Sequence, residues 1–119
     1  MELSGNTLRN FWIWYLLPEQ RKTYKTDSLI GKNPAIKIRF VAMSFTERYG
    51  VYVDYFDSVK ISLEIQNRII GWNNKDIEYR PCYTTQKGIH FGIHFKTRPE
   101  ARTAAIEKAN ELRNEELNK

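Results

Sequence analysis

Ile89-His90-Phe91-Gly92-Ile93-His94-Phe95-Lys96-Thr97-Arg98-Pro99-Glu100 is the stretch that decides the fold, because its period changes midway. Ile89, Phe91, Ile93 and Phe95 alternate with His90, Gly92, His94 and Lys96, the period of a strand with one buried face. Thr97 is followed three residues later by Glu100, a capping-box pair that satisfies amide donors at a helix start. Beyond it Ala101, Ala105, Ala109 and Leu112 recur at helical spacing, with Glu107, Lys108, Glu111, Arg113 and Glu115 on the remaining surface. A strand followed by a capped helix is therefore expected over 89–117.

Working back, Val59, Ile61, Leu63 and Ile65 alternate as in a strand, although Ile61, Ile65, Ile69 and Trp72 also suit a helix. The β-branched content of 59–72 favours a strand. Asn73-Asn74-Lys75-Asp76 forms a turn, and 78–83 is expected as a short edge element around Pro81. Val51, Val53 and Tyr55 alternate with Tyr52, Asp54 and Phe56, and Ile36, Ile38 and Phe40 alternate with Lys37, Arg39 and Val41. Both read as strands, joined by a hairpin over 46–50. Leu8 to Leu17, with the aromatic run Phe11-Trp12-Ile13-Trp14-Tyr15-Leu16-Leu17 and closed by Pro18, reads as a further strand, and 18–34 as a long loop. The expected architecture is α+β: an antiparallel sheet of about five strands covered by the C-terminal helix, in a single domain spanning 1–119.

At 119 residues and 41% hydrophobic content the chain has material for a real core. Its single Cys82 excludes an internal disulfide framework and fits a reducing compartment. The longest apolar run, Phe11 to Leu17, is far short of the roughly 20 residues of a membrane span. The start Met-Glu-Leu-Ser-Gly lacks the features of a signal peptide, so a cytoplasmic protein with no membrane partner is expected.

The formal charge is +5, and residues 97–119 balance five basic against five acidic side chains. The excess lies upstream: Arg9, Arg21, Lys22, Lys25, Lys32, Lys37 and Arg39 face only Glu2, Glu19 and Asp27 within residues 1–40. That localised charge suits phosphate. Tyr24 stands among the basic residues of Arg21-Lys22-Thr23-Tyr24-Lys25, and Tyr52, Trp72, Tyr79, Arg80 and Tyr83 add rings near further charge. Bases stack on exposed rings while phosphates pair with Lys and Arg.

No catalytic constellation competes with this reading. His90 and His94 have metal-pair spacing on a helix, but four residues of strand span about 13 Å, too far for two imidazoles to share one ion. The hydroxyl residues that paired-histidine phosphoesterases need are replaced by Gly92 and Lys96. Asp54, Asp57, Glu64 and Gln66 resemble the acidic cluster of metal-dependent nucleases only loosely, with Lys60 misplaced between the acids. Gly31-Lys32 lacks the rest of a phosphate loop, and Cys82 has one nearby cation in Arg80.

The tail of about 25 residues that begins with the run Phe95 to Ala109 resembles the C-terminal ends of small uncharacterised proteins of phages and mobile elements. The resemblance implies a bacterial or phage cytoplasmic setting and carries over no functional residue. The expected function is non-enzymatic nucleic-acid binding without metal or cofactor, with Arg21, Lys22, Lys25, Lys37 and Arg39 on phosphate and Tyr24 stacking on a base. The alternative is an accessory protein that binds and modulates a host protein through Phe11, Trp12, Trp14 and Tyr15. An unpaired sheet edge also offers a route to a homodimer.

Overall fold

The computed structural model describes residues 1–24, 33–71 and 76–119. Among these described residues, five helices and three strands run in the order α1 (Gly5–Tyr15), α2 (Pro18–Thr23), α3 (Asn33–Val41), α4 (Phe45–Ser58), β1 (Ser62–Ile70), β2 (Asp76–Thr85), β3 (Gly88–Phe91) and α5 (Arg98–Leu117). The α+β class and the C-terminal helix are as expected, but the antiparallel sheet has three strands, in the order β1-β2-β3.

The three segments upstream of residue 59 that read as strands are helices. In α1 the buried positions are Thr7, Phe11 and Tyr15, spaced by four, and the aromatic composition had obscured that helical period. Pro18 begins α2 rather than ending a strand, and Leu17 before it is extended, as the residue ahead of a proline prefers. In α3 Ile36 and Phe40 are buried while Ile38 is 71% exposed, so the apparent alternation was one turn of helix. Helix α4 buries Val51, Tyr52, Tyr55 and Phe56. Ser44 caps it, accepting from the Glu47 amide at 3.2 Å and donating to the Glu47 carboxylate at 3.0 Å. The expected hairpin turn at Gly50 is thus mid-helix. A methyl group there meets nothing within 4 Å. Gly50→Ala is accordingly expected to stabilise the fold by about 0.5–1 kcal/mol, read as a raised denaturation midpoint.

A Schellman motif ends α4. Ile61 donates to the Phe56 carbonyl at 2.9 Å and Lys60 to that of Asp57 at 3.1 Å, with Lys60 at φ 68° in the left-handed position. Phe56 and Ile61 are both fully buried, which supplies the apolar contact of that motif and sends the chain directly into β1.

The strand expected over 59–72 is β1. The supposed edge element at 78–83 is instead the ten-residue central strand, paired from Ser62↔Thr84 to Ile70↔Asp76 on one side and with β3 on the other. Pro81 is tolerated there because its backbone groups face the end of β3. Its carbonyl accepts from Gly92 at 2.8 Å, where the ladder has already stopped at Phe91. A Cβ on Gly92 would lie 2.7 Å from the Pro81 ring, so the close crossing requires glycine. Pairing resumes only at an isolated bridge between Tyr79 and Phe95.

Helix α5 lies across one face of the sheet. Its N-cap is the predicted one, with the Glu100 amide donating to Thr97 Oγ1 at 3.3 Å. Ala101, Ala105 and Ala109 are fully buried, their small side chains letting the helix approach β2 and β1. The same helix closes the N-terminus of α1. Asn110 Oδ1 accepts from the Ser4 amide at 3.0 Å, and Asn114 Oδ1 from the Thr7 amide at 2.8 Å. Ser4 itself makes no side-chain cap, so these asparagines take over that role. Asn114→Ala leaves the half-buried Thr7 amide without its acceptor and is expected to cost about 1–3 kcal/mol in urea unfolding.

Candidate nucleic-acid interface

The aromatic rings of α1, α3 and α4 form the centre of the helical part and decide which side chains remain for partners. Phe11 is fully buried and surrounded by rings, with centroids 5.4 Å away at Phe40, 5.2 Å at Tyr52 and 5.4 Å at Tyr55. Tyr15 is likewise buried. Of the four residues of the expected protein-binding segment, Phe11 and Tyr15 therefore belong to the core, because a helix turns positions spaced by four inward together. Trp12 and Trp14 are half-buried.

The expected phosphate-binding residues are divided by the same geometry. Lys37 and Arg39 are both exposed but do not share a face. On a helix two residues are separated by about 200°, whereas on a strand they would be aligned. Lys37 places its ammonium 5.3 Å from the Trp12 ring centroid, a cation–π contact between α3 and α1. Arg39 instead lines a groove with Tyr24, Met43, Glu47 and Asp54. Lys22 is exposed on α2, Arg21 is half-buried with Nε donating to the Leu16 carbonyl at 3.1 Å, and Lys25 lies outside the described residues.

Tyr24 is not a free stacking ring. Its hydroxyl donates to Asp54 Oδ2 at 2.6 Å, and its ring packs against Trp14 and Tyr15 at 6.1 and 5.3 Å. Burial, reinforced by the Asp54 hydrogen bond and charge, pushes its pKa far above the ordinary tyrosine range. It ties the end of α2 to α4.

Arg9 belongs to the basic excess of residues 1–40 but not to the expected phosphate contacts. On α1, Arg9, Trp12 and Ile13 occupy neighbouring positions of one outward face, Ile13 being 66% exposed, and Lys37 stands over Trp12. The missing signal was the helical period itself, which brings Arg9 beside Trp12. Along α1, α2 and α3 the basic residues Arg9, Arg21, Lys22, Lys37 and Arg39 meet one acidic residue, Glu19. In α4, in the two long strands and in α5 the balance reverses. Helix α4 carries Glu47, Asp54 and Asp57 against Arg48, and the two long strands carry Glu64, Asp76 and Glu78 against Arg68 and Arg80.

The sheet contributes differently from expectation. Tyr52 and Tyr83 are buried, Trp72 lies outside the described residues, and Tyr79 sits under Arg98 at 5.3 Å. Phe91 is 53% exposed on the face away from α5, with Arg80 4.2 Å from its centroid. His90 pairs with Tyr83 and so shares the helix-covered side, exposed, while His94 is half-buried beside Gln66, Asn67, Arg68 and Arg80. Cys82 is buried. Burial and the Glu64 charge raise its thiol pKa against the opposing pull of Arg80, the reverse of the activation its sequence neighbour suggested.

Tyrosine burial has a consequence for pH dependence. Tyr15, Tyr24, Tyr49, Tyr52, Tyr55 and Tyr83 are all raised, Tyr83 to about 12, chiefly by burial. Above the unfolded value of about 10 the unfolded chain binds fewer protons than the folded one, so stability falls as pH rises. The melting temperature is expected to hold below about pH 9 and to drop steadily beyond about pH 10, with tyrosinate absorbance rising as the chain unfolds. A melting temperature unchanged across that window would contradict the assignment. Comparison of the chain with protein-family models, curated proteins and solved structures found no match.

Proposed function

We propose that this chain is a non-enzymatic nucleic-acid-binding protein whose phosphate contacts come from α1, α2 and α3. The observation that carries the reading is the five-to-one excess of basic over acidic residues on those helices, with Lys37 held over the half-buried Trp12. Arg9, Lys22, Lys37 and Arg39 are the exposed members of that set. Cations at this density release counterions from a phosphate backbone, which makes affinity fall with salt. Salt-dependent binding of labelled single-stranded DNA, duplex DNA and RNA tests the proposal. Affinity that ignores salt would refute it.

One observation favours the second reading, an accessory protein of a phage or mobile element that binds a host protein. Ile13 is exposed on α1, Ile38 and Val41 on α3, and Leu17 between α1 and α2. Apolar side chains grouped at a surface suit a protein partner. That reading predicts a partner interaction lost on Ile38→Asp but unaffected by salt.

A further inference from the structure

We infer that two copies of this chain pair through β1, edge to edge and antiparallel, in the one register that sets Glu64 of each copy opposite Arg68 of the other. The inference is independent of nucleic-acid binding and rests on backbone direction and charge order in β1.

Strand β1 is an edge, since the sheet runs β1-β2-β3. Its free backbone groups can be identified from the other side of β2. Tyr79 exchanges both backbone hydrogen bonds with Phe95, at 2.8 and 2.7 Å, and the Pro81 carbonyl accepts from Gly92. Tyr79 and Pro81 therefore point their backbone groups away from β1. Their partners Asn67 and Ile65 form non-hydrogen-bonded pairs with them and direct their own groups outward, as do Leu63 and Ile69 by the period of two. Among the described residues, no backbone hydrogen bond beyond the ladder engages Ser62–Ile70.

An added antiparallel copy must pair these outward residues with one another. Centring on Ile65 sets Glu64 against Gln66, and centring on Asn67 sets Glu64 against Ile70. Centring on Gln66 pairs Leu63 with Ile69 and Ile65 with Asn67 through hydrogen bonds, and places Glu64 opposite Arg68 in the close non-hydrogen-bonded sites, twice by symmetry. Arg68 is free to do this. Its side chain is 57% exposed, and its only ion pair among the described residues is a 3.6 Å contact with Glu78. Ile69, 61% exposed in one copy, would meet Leu63 of the second. Such exposed charge pairs add little affinity but select register, because any other register leaves them unmatched. Edge β3 is a poorer template, with four residues ending where Gly92 turns away. Three strands from each copy then form one continuous six-stranded sheet.

Sedimentation equilibrium over micromolar concentrations, with circular dichroism to verify folding, tests the inference. The wild-type chain is expected to dimerise. Asn67→Pro removes an N–H that points to solvent within one copy, so it should fold and remain monomeric. Glu64→Arg and Arg68→Glu each set like charges opposite one another and should weaken self-association at least tenfold, whereas an equimolar mixture of the two restores both pairs and should recover it. A wild-type chain that stays monomeric overturns the inference, and so does a dimer that survives Asn67→Pro or a mixture no tighter than its components.

Discussion

Phe11→Ala is expected to lower the unfolding free energy by about 3–5 kcal/mol, a large share of the roughly 5–15 kcal/mol that holds a domain of this size folded. Phe11 has no exposed surface, and its ring stacks on Tyr15 at 5.6 Å with an interplanar angle of 11° while meeting Tyr55 edge-on at 88°. Trp12, Trp14, Phe40 and Tyr52 complete the surround. Removing the ring leaves a cavity bounded by large flat side chains on three helices, which cannot collapse together without moving the helices themselves. Urea unfolding should show a lower midpoint with an unchanged slope. By contrast Ile13→Ala, two residues along the same helix but exposed, should change stability by less than about 0.5 kcal/mol. Equal losses at the two sites would mean that α1 does not bury the face described.

The second large effect concerns binding. Reversing Arg9 and Lys37 together to glutamate removes two cations from the outward face of α1 and α3 and puts two anions beside Trp12. Each lost phosphate contact lowers the salt slope by about 1, and the double reversal is expected to weaken binding on the order of tenfold or more at low salt. Because Lys37 and Arg39 lie on different sides of α3, Lys37→Glu and Arg39→Glu should act independently, their losses adding within about 0.5 kcal/mol. Arg39 is exposed, so its reversal should hardly move the melting temperature, whereas Lys37→Glu also gives up the cation–π contact with Trp12, about 0.5–1 kcal/mol.

The chain discloses some of this fold and conceals the rest for identifiable reasons. Helix α5 and its Thr97 cap, and the strand within 59–72, were legible because local signals agree with the final packing. Helices α1, α3 and α4 were misread because aromatic and β-branched residues favour strands on average, and that preference outweighed their spacing. Yet Thr7, Phe11 and Tyr15 are four apart, and Ser44 and Glu47 repeat the capping signature correctly used at Thr97. Strand β3 looked stronger than it is. Ile89, Phe91 and Ile93 alternate, but all three are exposed, and no element among the described residues packs on them.

The candidate site followed the same course. The excess of positive charge in the first forty residues was evident, whereas its arrangement was not. Lys37 and Trp12 are 25 positions apart and meet only when α1 and α3 pack, and Arg9 joins them only through helical spacing. Tyr24 illustrates the opposite error, since nothing local to Arg21-Lys22-Thr23-Tyr24 announces that Asp54, thirty residues on, will hold its hydroxyl.

Phosphate binding by α1 and α3 is decided by fluorescence anisotropy with labelled single-stranded DNA, duplex DNA and RNA across a salt titration, with the wild-type chain and the Arg9→Glu, Lys37→Glu variant side by side. Micromolar or tighter binding to at least one probe is expected, with an affinity that falls steeply with salt and a shallower slope in the variant. Absence of binding at low salt, or equal binding and equal slope in the variant, would contradict it.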